Sequence, residues 1–238
     1  MRRTARSSLA SFLTVTALLA GSLAAIAPTG SAQAAPRHDR PRTAATVSTP
    51  RWQEGEVNGP WRLAYHGYGS VSYGDDTVRL APMASSQPDE THASLVTSRT
   101  TYRDIDVTTL MRTDTQLRTG TAPNPWESAW LLWHYTDDLH FYALALKPNG
   151  WELSKEDPAY PGAQRYLATG SSPAFPIGST ARVRVRQSGA TIRVDVDGRP
   201  LVTYTDRERP YGAGSVGLYT EDAAVTFSRV RMFGAPLR

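Results

Sequence analysis

The side chains best suited to chemistry are concentrated between Trp126 and Lys155. This stretch contains four of the six tryptophans in the chain and two of the five histidines. Aromatic rings stack on the apolar C–H face of a sugar ring, and Glu, His and Lys side chains bond its hydroxyl groups. The stretch therefore predicts a glycan-binding surface, with these candidate residues: Trp126, Glu127, Trp130, His140, Tyr142, Lys147 and Trp151.

The alternative is that the aromatic side chains of this stretch only fill the space between two sheets. In strand geometry Trp126, Trp130 and His134 share one face, and Trp133 points to the other, so we assign Trp133 to the core. Glu127 is a charged residue between tryptophans. Because an unpaired buried charge is costly, Glu127 needs either a partner or a solvent-filled cleft.

Catalysis in the same stretch is a second hypothesis. Glycoside hydrolysis uses two carboxyl groups, and three glutamates are available: Glu127, Glu152 and Glu156. A polysaccharide lyase would instead transfer protons through His134 or His140 together with Tyr142. The sequence has no serine-nucleophile, P-loop or dinucleotide motif. Whether the protein is an enzyme stays open at this point.

Three acidic pairs are candidate ligands for a structural calcium ion, because hard cations prefer carboxylate oxygens. The candidates are Asp75, Asp76, Asp137, Asp138, Glu221 and Asp222. Their spacing is not that of an EF-hand. The alternative is turn chemistry, since aspartate bonds its own backbone in tight turns.

The elements that position these residues have the patterns of β-strands. From Trp52 onward, short runs rich in β-branched and aromatic residues, such as 93–98 and 105–114, are separated by turn-forming residues. Residues 181–187 alternate valine with arginine, which is typical of a strand with one wet face. Ser188-Gly189-Ala190 and Asp197-Gly198 predict hairpins. We therefore predict that residues 52–238 form an all-β, antiparallel two-sheet β-sandwich of jelly-roll type.

The first 51 residues differ in composition from this body. Three arginines precede an apolar stretch at residues 9–26, and Ala32-Gln33-Ala34 has the small-x-small pattern of a cleavage site. We predict a signal peptide at residues 1–34, a disordered linker at residues 35–51 and a secreted, extracellular product.

Charge and cysteine content exclude several partner classes. Residues 52–238 contain 19 basic and 21 acidic residues, a formal charge of −2, which does not support a basic surface for nucleic acid. The absence of cysteine excludes disulfides, thiol catalysis and Cys-ligated zinc. We expect a monomer that binds a polysaccharide or oligosaccharide, has no nucleic-acid partner and does not contact a membrane after signal cleavage.

Several motifs along the body resemble one superfamily. They are the Trp61 opening, the His92-Ala-Ser-Leu-Val-Thr-Ser run, the stretch from Phe141 to Lys155, the Asp197-Gly198 hairpin, and Gly214-Ser-Val-Gly-Leu-Tyr before Val225-Thr-Phe-Ser-Arg-Val. Over most of residues 52–233 the chain resembles the concanavalin A-like lectin/glucanase superfamily, in particular LamG-like and 3-keto-disaccharide hydrolase type domains of secreted bacterial proteins. The glucanase motif Glu-x-Asp-x-x-Glu is absent.

This resemblance implies a sandwich fold and leaves three functions open. The leading hypothesis is a secreted glycan-recognition domain that uses one sheet face. The second is a secreted glycoside hydrolase or polysaccharide lyase that uses the same cleft. The third is a structural or adhesive wall-associated protein in which the aromatic side chains form the core.

Overall fold

The structure, a computed structural model, describes residues 52–236. The predicted signal peptide and linker lie outside this range. The described chain forms fourteen strands: β1 Val57–Asn58, β2 Trp61–Tyr65, β3 Ser70–Gly74, β4 Thr77–Ala81, β5 Ala93–Gln116, β6 Ala129–Asp137, β7 His140–Lys147, β8 Gly150–Glu156, β9 Gln164–Gly170, β10 Thr180–Ser188, β11 Thr191–Val196, β12 Arg199–Thr205, β13 Gly214–Glu221 and β14 Ala223–Pro236. Within this range no helix has the length and apolarity needed to cross a membrane.

The strands form two antiparallel layers that share the long strand β5. Residues 93–102 of β5 pair with β2 and β13, and residues 102–116 pair with β10 and β14. We call the layer β1-β2-β5-β13-β6-β7-β8-β9 the front sheet and the layer β12-β11-β10-β5-β14-β4-β3 the back sheet. The predicted all-β two-sheet sandwich is confirmed. The two runs predicted at 93–98 and 105–114 belong to one continuous strand, β5. Its first half pairs within the front sheet and its second half within the back sheet.

The predicted hairpins on the back sheet are also confirmed. Strands β10, β11 and β12 pair in sequence order. Asp197 and Gly198 both have positive φ angles, 51° and 77°, as a two-residue type I′ turn requires. Along β10, Val183 and Val185 are buried while Arg182 and Arg184 are exposed, so the wet face of this strand is the one that the alternation predicts.

The core lies between the two sheets. The front sheet contributes Leu131, Trp133 and Leu144, and the back sheet contributes Val185 and Phe227. Trp133 is 0% exposed, and its Nε1 donates to Gln187 Oε1 of the back sheet at 2.7 Å. The assignment of Trp133 to the core is therefore confirmed. Its indole links the two layers by both packing and a hydrogen bond.

Candidate functional site

The solvent-facing sides of the two sheets differ in chemistry. On the back sheet, arginines pair with aspartates across neighbouring strands, as in Arg184–Asp106 and Arg186–Asp195, both with N···O distances of 2.5 Å. Such cross-strand ion pairs are ordinary surface chemistry for a solvated sheet face. Among the described residues, the solvent-facing side of the front sheet has no comparable set of Arg–Asp ion pairs. It has aromatic side chains instead.

Strand register places these aromatic side chains together. Tyr65 lies beside Leu95, Leu95 beside Tyr219, Tyr219 beside Trp130, and Trp130 beside Ala145. We call the resulting cluster the aromatic face; it consists of Tyr65, Trp130, Tyr135, Phe141 and Tyr219, packed on the floor residues Leu95, Leu132, Ala143 and Ala145. This cluster is separate from the core between the sheets.

Contacts between rings hold the aromatic face in order. Trp130 meets Tyr219 edge-on, with ring centroids 5.6 Å apart, and Tyr135 lies 5.9 Å from Phe141. The floor residues Ala143 and Ala145 of β7 are small, so the rings on the flanking strands stand above them. Trp130 is only 6% exposed and the other four rings are half-buried, so the cluster packs on the outer side of the front sheet as a second, smaller apolar layer.

Four carboxylates lie among these rings, and we call them the rim carboxylates: Asp138, Glu152, Glu156 and Glu221. The Tyr135 hydroxyl donates to Asp138 at 2.8 Å, and the Tyr219 hydroxyl donates to Glu221 at 2.6 Å. Glu152 accepts a hydrogen bond from Lys147 Nζ at 2.8 Å. Glu156 lies directly opposite Phe141 in the sheet. The face therefore combines stacking surfaces with hydrogen-bond acceptors.

The rim carboxylates act on one another electrostatically. Burial, reinforced by the negative charge of Glu221, raises the pKa of Glu156 to about 7. Burial is also the main reason that the pKa of Glu221 is raised, with Asp222, Glu127 and Glu152 adding to the effect. Glu156 and Glu221 lie on strands β8 and β13, which β6 and β7 separate. The charge of Glu221 therefore acts on Glu156 across two intervening strands.

Two exposed aromatic side chains flank the aromatic face. Trp126, in the loop before β6, is 40% exposed, and its carbonyl oxygen accepts a hydrogen bond from Trp130 Nε1 at 2.8 Å. Tyr166, on edge strand β9, is 60% exposed and lies opposite Ser154. Burial and the charges of Glu152, Glu156 and Glu221 raise the pKa of Tyr166. Its hydroxyl donates to Gln164 Oε1 at 3.2 Å, and Gln164 Nε2 donates to Glu152 Oε1 at 3.5 Å, so Gln164 links Tyr166 to the rim.

The structure separates the seven predicted glycan-binding residues. Trp130 belongs to the aromatic face, and Lys147 pairs with Glu152 at its rim. Trp126 flanks the face, and His140 lies at the end of β7 beside an open cavity. The placement of the other three is corrected: Glu127, Tyr142 and Trp151 point into the interior and are buried. Strand alternation allows only one side of each strand to face outward.

Glu127 has the partner that its charge requires. Arg118 Nε lies 2.5 Å from Glu127 Oε1, and Arg118 Nη2 lies 2.7 Å from Asp222 Oδ2, with all three side chains nearly inaccessible. Arg118 also donates to the carbonyl oxygens of Gln87 and Glu90. The arginine thus ties together three loops next to Trp126. Glu127 positions this end of the front sheet and does not face solvent.

Tyr142 and Lys155 belong to a second buried network. The Tyr142 hydroxyl donates to Asp206 Oδ2 at 2.7 Å and accepts a hydrogen bond from the Tyr211 amide at 3.1 Å. Lys155 Nζ donates to the same Asp206 oxygen and to the carbonyl oxygens of Glu208 and Arg209. Burial and the Asp206 carboxylate raise the pKa of Tyr142. Tyr142 is therefore unsuited to the proton transfer that the lyase hypothesis assigns to it.

The two histidines of the stretch lie at one open cavity of about 410 Å³. His140 Nδ1 is 2.8 Å from Asp137 Oδ1, and its ring meets Tyr211 edge-on at 5.8 Å. His134 has a positive φ of 49°, and its Nδ1 lies 2.8 Å from the Tyr211 carbonyl oxygen. Burial lowers the pKa of His134. The bulge at His134 turns its side chain away from the face of Trp130, contrary to simple alternation.

The six predicted calcium ligands do not meet at one place. Asp76 pairs with Arg231 in the back sheet, Asp137 with His140, Asp138 with Tyr135, Glu221 with Tyr219, and Asp222 with Arg118. Asp75 and Asp76 both have positive φ angles in the β3–β4 turn. Among residues 52–236 no three acidic or histidine side chains form a group that could hold a metal ion. The described residues do not fit a calcium site, and turn chemistry accounts for Asp75 and Asp76.

Four residues of the aromatic face were not among the predicted site residues, namely Tyr65, Tyr135, Phe141 and Tyr219, and neither was the flanking Tyr166. Tyr219 and Glu221 alternate in β13, as do Phe141, Ala143 and Ala145 in β7, so a period-two pattern was available. That pattern does not reveal that β13 lies between β5 and β6. This non-local pairing is what brings Tyr219 against Trp130.

Comparison with known proteins identifies the fold. No protein-family model and no curated protein matches the chain. Among solved structures, the carbohydrate binding module CBM66 from Bacillus subtilis is similar with a TM-score of 0.56 and 14% identity, covering 73% of this chain and 94% of that module. A protein of unknown function with a galectin-like fold from Bacillus subtilis has a TM-score of 0.50 and 15% identity, covering 75% and 90%.

A third similar structure is the exoplasmic/lumenal domain of VIP36 in its Ca2+/Man3GlcNAc-bound form, with a TM-score of 0.50 and 14% identity. The similarity covers 75% of this chain and 85% of that domain. At these identities the similarity establishes a shared β-sandwich fold and nothing finer.

Proposed function

We propose that this protein is a secreted glycan-recognition module that binds an extracellular polysaccharide or oligosaccharide on the aromatic face. The observation that supports this proposal most directly is the contrast between the two outer sheet faces. The outer face of the back sheet has Arg–Asp ion pairs, whereas that of the front sheet has five clustered aromatic rings with carboxylates between them. Stacking rings and convergent hydrogen-bond acceptors are what a sugar ring needs.

The fold supports the same proposal by analogy only. The similar structures include a carbohydrate binding module and a sugar-bound lumenal domain. Membership of the LamG-like or 3-keto-disaccharide hydrolase type, secretion and the identity of the glycan remain predictions. The hypothesis of an adhesive protein whose aromatic side chains are all core is disfavoured by the exposed rings of Trp126 and Tyr166.

A glycan array read for retention tests this proposal with matched tryptophan and tyrosine variants. We expect Trp126→Ala and Tyr166→Ala each to lower retention about tenfold while leaving the melting temperature within a few degrees of the parent, because exposed rings make few core contacts. Phe233→Ala is the control, since Phe233 is a similarly exposed aromatic residue on strand β14 of the back sheet. The proposal is contradicted if Trp126→Ala and Tyr166→Ala retain as much glycan as Phe233→Ala does. It is also contradicted if the parent protein binds no glycan on the array.

A glycoside hydrolase is the second candidate function, and the environment of Glu156 favours it. A general acid must be protonated near neutral pH, and burial raises the pKa of Glu156 to about 7. Glu221, on strand β13 of the same sheet, is available as the second carboxyl group that hydrolysis needs. The test is the release of reducing ends from any retained glycan. We expect Glu156→Gln to abolish release and to preserve retention if the site is catalytic. A parent protein that retains glycan without releasing reducing ends is a binding module only.

A further inference from the structure

The guanidinium of Arg118 lies in a shell of oxygen atoms. Its Nε is 2.5 Å from Glu127 Oε1, and its Nη2 is 2.7 Å from Asp222 Oδ2. The same group donates to two backbone carbonyl oxygens, from Nη1 to Gln87 at 2.8 Å and from Nη2 to Glu90 at 3.0 Å. Two carboxylates and two carbonyl groups therefore face one buried cation.

This oxygen shell has the composition of a calcium site. Calcium takes about six to eight oxygen ligands from carboxylates, backbone carbonyl groups and water. The oxygens around Arg118 come from three connections, those between β4 and β5, between β5 and β6, and between β13 and β14. One more buried oxygen, Glu127 Oε2, has no hydrogen-bond partner. The guanidinium thus leaves one oxygen of its own partner unused.

The charges of this shell also suit a metal ion. The Arg118 side chain is 2% exposed and both carboxylates are 0% exposed, and buried charges are either paired or coordinated to metals. Among the described residues no other Lys or Arg touches the two carboxylates, and the ring of His92 is 4.0 Å from Asp222 Oδ1. One guanidinium thus faces two carboxylates, which a single divalent ion would balance.

The geometry points to the Arg118 guanidinium as an internal substitute for a divalent cation, so that this end of the sandwich holds its loops together without calcium. Asp222, one of the six predicted calcium ligands, is bound by the guanidinium instead of an ion. Glycan retention that involves the neighbouring Trp126 is then independent of calcium as well. This last consequence rests on the proposed function, whereas the substitution of a guanidinium for an ion does not.

Thermal melts of the full chain in excess EDTA and in about 5 mM CaCl2 test this inference. The parent protein should melt at the same temperature in both solutions. Arg118→Ala removes the guanidinium and leaves space among the oxygens, so calcium should raise the melting temperature of this variant by about 2–9 °C. This range corresponds to a dissociation constant of about 0.1–1 mM, which is typical of extracellular calcium modules.

Two control variants show whether calcium acts at this shell. The double variant Arg118→Ala, Asp222→Asn keeps the space but loses one carboxylate ligand, so calcium should no longer raise its melting temperature. Arg184→Ala also removes one arginine from an ion pair, but its pair with Asp106 lies on the outer face of the back sheet. The melting temperature of Arg184→Ala should be the same in EDTA and in CaCl2.

The outcomes separate this inference from the proposed function. A parent protein that calcium stabilises, or an Arg118→Ala variant that calcium does not stabilise, overturns the inference. If Arg118→Ala is unfolded in EDTA, its refolded fraction in CaCl2 is measured instead, and a variant that stays unfolded with calcium has the same meaning. Glycan retention that the parent loses in EDTA overturns calcium independence and leaves the proposed function intact. If the parent retains no glycan, the proposed function fails, and the melts still decide the inference.

Discussion

Replacement of Arg118 by methionine should destabilise the domain severely. Among the described residues Arg118 is the only Lys or Arg that touches the two buried carboxylates Glu127 and Asp222, at 2.5 Å and 2.7 Å. Methionine preserves apolar volume but leaves both carboxylates unpaired in the interior. Removal of one partner from a buried ion pair costs about 3–5 kcal/mol. In a domain of this size each kcal/mol lowers the melting temperature by about 2–4 °C, so we expect a fall of about 6–20 °C.

Urea denaturation monitored by tryptophan fluorescence measures this loss, and two further variants show its origin. Arg184→Met removes one partner of the exposed Arg184–Asp106 pair and should cost about 1 kcal/mol or less. The triple variant Arg118→Met, Glu127→Gln, Asp222→Asn should recover part of the loss, because no buried charge is left unpaired. A loss below about 1 kcal/mol for Arg118→Met, or a triple variant less stable than Arg118→Met alone, would refute the electrostatic explanation.

Three further predictions concern Lys155, Glu156 and Gly214. Lys155→Met should cost about 3–5 kcal/mol in urea denaturation, because it removes the 2.8 Å ion pair of the buried Asp206 carboxylate and leaves only Arg165 Nη1, at 3.9 Å, to offset its charge; an unchanged midpoint would contradict this. Since Glu156 has a pKa of about 7 in the folded protein against 4.5 ordinarily, stability should fall as pH rises from about 4.5 to 7 and then level off; the slope should weaken in Glu156→Gln, and an identical slope would refute the assignment. Gly214→Ala should cost about 1–3 kcal/mol in thermal melts, because a Cβ there would lie 2.3 Å from the His134 carbonyl carbon; a parent-like melting temperature would show that the bulge can adjust.

Some features of the site follow from local sequence and others do not. The alternation in β6 correctly separates Trp130 from Trp133, because both lie before the bulge at His134. Past the bulge the alternation shifts, so Tyr135 joins the aromatic face in place of His134. One extra residue in a strand reverses the face of every residue that follows, and no composition rule marks where it occurs.

The amino-acid sequence alone determined the fold class, the back-sheet hairpins and the wet face of β10, because these depend on period-two patterns and on turn residues close together in the chain. Only the tertiary structure decided which side of the front sheet is the candidate site. Tyr219 reaches Trp130 because β13 inserts between β5 and β6, and Glu127 is internal because Arg118 and Asp222 meet it there. Such contacts join residues distant in sequence, and their geometry depends on how whole strands pair.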